Sequence, residues 1–427
     1  MSTPWKTDRW FVSPWNYVDE VRANLSFPTQ VKIHDVSLRD GEQQAGLVFT
    51  KEEKIRIAEK LAEAGVHRIE AGMPAVSRQD AEAIAEIARR NLGPEIFAFS
   101  RCMKDDVKRA VDCGVKGIVV EIPSSEHIIR YAYRWPLEKA VDLSVEATRF
   151  AKENGLYTVF FPIDASRAEM SWFLDLIEKV ATEGHMDALV VVDTFGGISP
   201  HAVPYLVRKI KERIDKPLEV HFHDDFGMAV ANTIMALAAG AEVAHTTVTS
   251  IGERAGNAAY EDLVVSLLTM YGVDTGINYP KLCEVSRLVR EISGLQIPSN
   301  RPVVGEMLYN IESGIIASWF RNCGQEHVLE LLPFHWDLVG QHPATVVLGK
   351  SSGIDSVRMW LEDLGIPVPG DQQLEAILYA VKERSLDKHG LLTREEFADI
   401  VRSVLGPSAV AGLADCLDGP TARGMGG

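Results

Sequence analysis

The stretch HFHDDFG at residues 221–227 has the residue types and spacing of a metal site. His221 and His223 are two residues apart, and side chains alternate along an extended strand, so both imidazoles point to the same face. Asp224 and Asp225 follow directly and could orient the imidazoles through hydrogen bonds. A His-x-His pair also occurs as an ordinary polar strand end, so the metal hypothesis depends on further ligands.

Two other segments offer such ligands. Asp40 lies in LRDG (38–41), and Asn257 ends IGERAGN (251–257). A carboxylate, an amide oxygen and two imidazoles suit Zn²⁺, Mn²⁺, Co²⁺ or Mg²⁺, with positions left for a substrate. Arg39 is a permanent cation beside Asp40, and it could either stabilise an enolate or alkoxide oxygen or pair with a neighbouring carboxylate.

The elements that must position these residues alternate between short apolar runs and amphipathic runs from about residue 30 to 275. Eight such pairs in this length predict a (β/α)₈ TIM barrel. An open doubly wound sheet also alternates strand and helix, but the loop LRDGEQQAG lacks its glycine-rich fingerprint. The predicted strands are 31–37, 68–73, 96–100, 117–122, 157–161, 188–193, 218–223 and 243–248, with helices at 50–65, 77–90, 136–155 and 228–240.

Barrel closure would bring the polar residues together. The loops after the strands carry the chemistry of this fold, and strands one, seven and eight are neighbours in a closed barrel. Asp40 follows the first predicted strand, the histidines end the seventh, and Asn257 follows the eighth. The sequence therefore predicts one metal site at the carboxyl end of the barrel.

The domain organisation is predicted as an N-terminal extension (1–29), a barrel domain (30–275) and a mainly helical C-terminal region (276–427). After residue 275 the strand–helix alternation stops, and the runs 279–294, 371–390 and 393–406 have helical patterns.

Composition limits the class of protein. The 427 residues carry a net charge of −16, with 46% hydrophobic and 24% charged residues, which argues against a nucleic-acid or anionic-membrane partner. No apolar run is long enough to span a membrane, and the N-terminus lacks a signal-peptide pattern. The five scattered cysteines predict reduced thiols in a cytoplasmic protein (Cys102, Cys113, Cys283, Cys323 and Cys416).

Five motifs together resemble the DRE-TIM metallolyase superfamily: SLRDGEQ (37–43), IEAGMPAVS (69–77), DTFGGISP (193–200), HFHDDFGMAVAN (221–232) and IGERAGNA (251–258). The sequence is most similar to the branch of isopropylmalate, homocitrate and citramalate synthases, and the likeness continues through VVGE (303–306), ESG (312–314) and VLGKSSG (347–353).

The resemblance implies roles for individual residues. Asp40, His221 and His223 would bind a divalent metal, with Asn257 as a further or alternative ligand, and a 2-oxo acid would chelate that metal. Arg39 would hold the enolate oxygen. The resemblance also implies a catalytic role for His127 and substrate contacts for Gln43, Glu70 and Thr194.

Two positions depart from the synthases. Ile163 stands where they carry a glutamate after strand five, and Ile316 stands where they carry a histidine in E-S-G-I-H. Isoleucine transfers no proton, so the acyl-CoA half of the reaction loses two ionisable groups. Asp164 comes next along the chain, but adjacent side chains diverge on an extended segment, so it is not expected to replace the glutamate.

Three functions therefore compete. The first is a Claisen-type condensation of an acyl-CoA with a 2-oxo acid, and the second is a lyase or aldolase that cleaves a 2-hydroxy or 2-oxo acid without acyl-CoA. The third, a regulatory relative without activity, conflicts with the intact metal motifs. The resemblance further implies a homodimer. Because the sequence stops near residue 427, we expect no leucine inhibition; loss of activity on adding leucine would refute this.

Overall fold

The computed structural model describes residues 3–410 of the chain. Eight parallel strands form a closed barrel in sequence order, and the ring closes where the first strand pairs with the last. The predicted (β/α)₈ barrel is therefore confirmed. The strands are β1 (Lys32–Asp35), β2 (Arg68–Glu70), β3 (Glu95–Arg101), β4 (Gly117–Pro123), β5 (Tyr157–Ile163), β6 (Ala188–Asp193), β7 (Leu218–Phe222) and β8 (Val243–Thr246).

The five helices predicted in this part of the chain are found within a few residues of their predicted ranges. The helix predicted at 50–65 begins after Thr50, whose side chain and that of Glu53 form a reciprocal capping box. Gly65 follows this helix with a positive φ of 80°, as a C-terminal glycine should. The helices are α1 (Asp19–Arg22), α2 (Lys51–Glu63), α3 (Arg78–Arg90), α4 (Lys104–Asp112), α5 (Leu137–Glu153), α6 (Met170–Glu183), α7 (Val203–Arg213), α8 (Ala229–Ala238), α9 (Tyr260–Tyr271) and α10 (Leu282–Ser293).

Side chains from β3 to β6 form the apolar part of the barrel interior. Four strands contribute every second residue to one apolar cluster, as the alternation of side chains requires. Ile163 and Met73 pack against this cluster near the carboxyl ends of the strands. We call it the interior cluster: Phe97, Phe99, Val119, Val159, Phe161, Ala188, Val190 and Val192.

The chain divides into two compact units. One comprises Thr3–Trp5 and Val12–Gly305, and the other comprises Lys6–Phe11 and the described residues from Glu306 onward. The first unit continues past residue 275 through α10, whereas the sequence prediction ends the barrel domain at 275; the domain boundaries remain a prediction.

The second unit is mainly helical in its described part, as predicted for the C-terminal region. Two apolar clusters form its core, and Ile316 packs against one of them beside Phe320. Residues 411–427, with Cys416, lie outside the described residues. The elements are β9 (Asn310–Ile311), α11 (Gly314–Cys323), β10 (Thr345–Val346), α12 (Ile354–Asp363), α13 (Asp371–Lys388) and α14 (Arg394–Leu405).

Between residues 3 and 410, no helix has the length and apolarity needed to cross a membrane. The four cysteines in this range are unpaired thiols (Cys102, Cys113, Cys283 and Cys323).

Candidate active site

Three predicted ligands converge at the carboxyl end of the barrel. The Nε2 atoms of His221 and His223 lie 3.3 Å apart, and they lie 4.0 and 3.9 Å from Oδ2 of Asp40. All three residues are buried. Donors that bind one ion at about 2.0–2.2 Å are separated by roughly 3–4 Å, so this triangle has the dimensions of a metal site.

The protonation state of the imidazoles also suits metal binding. Burial lowers the pKa of His221 well below its ordinary range, and the nearby His223 and Arg39 lower it further. Burial likewise lowers the pKa of His223, although Asp40 partly opposes this shift. Neutral imidazoles have a free nitrogen lone pair, which is the form that ligates a metal.

Asn257 lies against the same triad. Its amide Nδ2 donates to Oδ2 of Asp40 and, at 3.3 Å, to the carbonyl oxygen of Ile251. Its Oδ1 is buried and accepts no hydrogen bond from the described residues. A buried polar atom without a partner is costly, so an electropositive group at this position would stabilise it. The predicted fourth ligand thus presents an unsatisfied oxygen beside the triad.

The segment that carries Asn257 needs glycine at position 252. Gly252 has a φ of 146°, which L side chains rarely adopt. A β-carbon there would overlap Nδ2 of Asn257 and lie 3.3 Å from Oδ2 of Asp40. We expect Gly252→Ala to weaken metal binding about 10- to 100-fold by displacing these two groups. Substitutions next to metal ligands reduce metal affinity by this factor in other metalloproteins. Competition with a chelating dye measures the affinity.

Gly197→Ala is the matched control for this variant. Gly197 is exposed, and a β-carbon added there would have no neighbouring atom within 4 Å. We expect it to bind metal as the parent protein does. Equal metal affinities for both glycine variants would show that the Asn257 segment does not shape the site.

Arg39 connects the triad to a second buried carboxylate. Its Nη1 donates to Asp40, its Nε donates to Glu70, and its Nη2 is buried without a partner among the described residues. Burial alone would raise the pKa of Glu70, but the charge of Arg39 and the nearby His34 imidazole outweigh it and hold the pKa at about 2. Both roles that the sequence leaves open for Arg39 are therefore compatible with its contacts, since it pairs with two carboxylates and keeps one donor free.

A chain of buried polar residues, not predicted from the sequence, continues below Glu70. His34 Nε2 lies 3.5 Å from Glu70, and His34 Nδ1 lies 3.7 Å from Glu219. Glu219 also accepts hydrogen bonds from His245 at 2.8 Å and from Arg68 at 2.6 Å. The strand runs VKIHDVS, LEVHFH and VAHTTV contain three of these residues, and inward-facing polar side chains in buried strands are the signal that could have found them.

His127 pairs with Asp164, which was not expected to serve the site. Its Nε2 lies 2.9 Å from Oδ2 of Asp164, and 43% of its side chain is exposed. The buried Asp164 carboxylate also contacts Arg167 and Ser125. Asp164 has a left-handed backbone with a φ of 63°, so it leaves the extended path of β5. The structure thus gives His127 a carboxylate partner, and its catalytic role remains a prediction.

Thr194 and Gln43, the two remaining predicted substrate contacts, differ in burial and in hydrogen bonding. Thr194 Oγ1 accepts a hydrogen bond at 2.8 Å from the backbone N–H of Asp164. Gln43 ends a short 3₁₀ turn and is exposed. The structure therefore places Gln43 outside the buried residues, while Thr194 directly follows β6.

The expected orientation of the imidazoles by Asp224 and Asp225 is not found. Asp224 accepts a hydrogen bond at 2.8 Å from the N–H of Ala229, and Asp225 pairs with Arg254. The Nδ1 atoms of His221 and His223 have no partner among the described residues. The reason is local, because the chain turns after His223. The Asp224 carboxylate accepts the first N–H of α8, and the Asp225 carboxylate pairs with Arg254.

The chain matches the HMGL-like family model over residues 30–289. It is 38% identical over 399 residues to homocitrate synthase AksA of Methanothermobacter thermautotrophicus, covering 93% of this chain and 99% of that protein. It is 39% identical over 395 residues to 2-isopropylmalate synthase of Methanocaldococcus jannaschii, covering 92% of this chain and 75% of that protein.

Solved structures agree with the fold. The HMG-CoA lyase of Bacillus subtilis superposes with a TM-score of 0.58 at 23% identity, over 64% of this chain and 97% of the lyase. At that identity the likeness concerns the barrel alone. The family model covers more than half of the sequence, and the two synthases align over nearly all of it. The chain therefore belongs to the HMGL-like family.

Proposed function

We propose that the protein is a divalent-metal-dependent enzyme that condenses an acyl-CoA with a 2-oxo acid. The observation that carries this proposal is the convergence of Asp40, His221 and His223 beside the free Nη2 donor of Arg39. Relatives that align over most of the chain are named homocitrate and 2-isopropylmalate synthases, which supports the same reaction class.

Each residue of the site has a task in this reaction. Asp40, His221 and His223 would hold the ion, with Asn257 Oδ1 as a further donor, and the ion would polarise the keto group as a Lewis acid. Arg39 holds the oxygen on which negative charge develops, because its Nη2 is the one donor not committed to Glu70 or Asp40. The Asp164 carboxylate keeps His127 oriented at the edge of the site.

The two isoleucines favour a second candidate, a metal-dependent lyase or aldolase that needs no acyl-CoA. Ile163 packs against the apolar interior cluster, and Ile316 packs against a core cluster of the second unit. Neither position can transfer a proton. A cleavage through an enolate would use the same residues, with Asp40, His221 and His223 to hold the ion and Arg39 to hold the enolate oxygen.

The release of free CoA distinguishes the two reactions. The protein is incubated with divalent metal, acetyl-CoA and a panel of 2-oxo acids, and the thiol is followed with a chromogenic reagent. We expect thiol release that depends on both substrates and on the metal. Parallel reactions follow pyruvate, glyoxylate or acetate formed from 2-hydroxy acids.

If acetyl-CoA releases no free CoA with any of the 2-oxo acids, the condensation is refuted. Formation of pyruvate or glyoxylate from a 2-hydroxy acid in the same preparation would then establish the lyase. Metal content measured beforehand ensures that both reactions are run with loaded protein.

Several finer features belong to the same proposal. Two imidazole ligands favour Zn²⁺, Mn²⁺ or Co²⁺ over Mg²⁺, which prefers oxygen donors. The free thiols among the described residues agree with a reducing, cytoplasmic location. The proposed assembly is a homodimer, which sedimentation of the purified protein tests.

A further inference from the structure

Glu121 is a partly buried carboxylate inside the barrel mouth that none of the tasks above uses. It lies near the end of β4 and pairs in register with Phe161 of β5. Residues in register on parallel strands point to the same side of the sheet, and Val119, two residues earlier on β4, belongs to the interior cluster. The Glu121 side chain therefore faces the barrel interior.

The same interior surface leads to the metal triad. The ring of Phe161 lies 5.1 Å from the ring of His221 and 5.5 Å from the guanidinium carbon of Arg39. Ile163 follows two residues later on β5 and faces the same way. An apolar surface of Phe161 and Ile163 thus extends from the triad toward β4.

The barrel order fixes where Glu121 stands relative to the reacting atoms. The triad comes from the ends of β1 and β7, with Asn257 after β8. Strand β4 is four positions from β8 in either direction around the ring, so Glu121 lies on the opposite side of the mouth. A carboxylate there is placed for the far end of a substrate whose keto acid group lies at the triad.

The Glu121 carboxylate lacks a partner within residues 3–410. Neither nearby arginine forms an ion pair with it: Arg39 pairs with Glu70 and Asp40 through Nε and Nη1, and Arg101 pairs with Asp106 at 2.7 Å. Burial raises the pKa of Glu121 to about 7, because the charges of Arg39 and Arg101 offset the loss of water only in part. A group that donates hydrogen bonds, above all a cation, would compensate this carboxylate.

We propose that Glu121 selects the substrate's side chain: the protein takes a 2-oxo acid with an apolar stem and a cationic, hydrogen-bond-donating end. The stem lies on Phe161 and Ile163, and the donor end meets Glu121. This inference rests on the proposed function only in assuming that a 2-oxo acid chelates the metal at the triad.

Equilibrium binding tests the proposal without any turnover. The metal-loaded protein is titrated by calorimetry with 5-guanidino-2-oxopentanoate, 4-methyl-2-oxopentanoate and 2-oxoglutarate, which carry cationic, apolar and anionic ends. We expect the guanidino compound to bind at least about tenfold more tightly than the apolar one, because a buried polar group rejects ligands that leave it unpaired. 2-Oxoglutarate should bind most weakly.

Variants of Glu121 identify the cause of the preference. Glu121→Gln should reduce the preference for the guanidino compound at least tenfold and keep metal content unchanged, and Glu121→Arg should shift the preference to 2-oxoglutarate. Glu138→Gln, an exposed glutamate on α5, is the matched control and should change neither. If Glu121 had only a structural role, its substitution would change the affinities for all three 2-oxo acids together.

Two results would overturn the inference, and they differ from failure of the condensation. Tighter binding of the apolar compound, unaltered in Glu121→Gln, would refute the role of Glu121 while leaving the 2-oxo acid site intact. No binding of any of the three compounds to metal-loaded protein would refute both this inference and the proposed substrate class. Binding in the expected order without CoA release would refute only the condensation.

Discussion

Replacing His221 with alanine is expected to remove both the bound metal and turnover. The variant loses one of two imidazoles from a buried triad, which leaves Asp40, His223 and Oδ1 of Asn257 as donors. We expect turnover to fall about 10³-fold or more, because metal polarisation of a carbonyl supplies several kcal/mol and each 1.4 kcal/mol is tenfold. Elemental analysis of the purified variant and the CoA-release assay measure the two effects.

His201→Ala is the control for this variant. His201 is exposed in the segment after β6, outside the triad. It should retain the metal content and turnover of the parent protein. A His221→Ala protein with full metal content and full turnover would refute the triad as the metal site.

Arg39→Met should have the second-largest effect, on stability as well as on turnover. Arg39 and Glu70 are 6% and 0% exposed, so the variant leaves a buried carboxylate without its partner. Removal of one member of such a pair costs about 3–5 kcal/mol of unfolding free energy. Loss of a preorganised donor should lower turnover about 10²- to 10³-fold. Urea unfolding and initial rates measure the two losses.

The double variant Arg39→Met/Glu70→Gln separates these effects, with Glu70→Gln alone as the reference. Without the buried carboxylate charge, we expect the double variant to recover most of the lost unfolding free energy, since neutral replacements of a whole pair are often tolerated. Turnover should stay far below that of Glu70→Gln. Recovery of turnover together with stability would mean that Arg39 serves only as the partner of Glu70.

The fold and the convergence of Asp40, His221 and His223 could be predicted from the sequence because both follow from periodicity. Eight apolar runs separated by amphipathic runs specify the barrel, and the barrel brings the ends of β1, β7 and β8 together. Asp40, His221 and His223 lie at or after the ends of these strands, so the predicted strand order was enough to expect them to lie close together.

Contacts that depend on exact backbone angles or register could not be predicted. An extended backbone is the sequence-based expectation around Ile163 and Asp164, but Asp164 adopts a left-handed conformation that places its carboxylate beside His127. Glu121 drew no prediction because one acidic residue in GIVVEI could face either side of a strand. Its pairing in register with Phe161 shows that the side chain faces the barrel interior, and this register is set by the packing of all eight strands.

Closure of the barrel has a consequence for the lifetime of the protein. Asp40 and Asn257 are 217 positions apart in sequence and meet only because β1 pairs with β8. An ion bound there would link the first and last strands. Because the site exists only in the folded protein with its closed barrel, ion binding would stabilise that state against unfolding. The gain is about 2.7 kcal/mol at a free ion concentration a hundredfold above the dissociation constant. Depletion of metal should therefore speed proteolytic degradation of the chain as well as halt its chemistry.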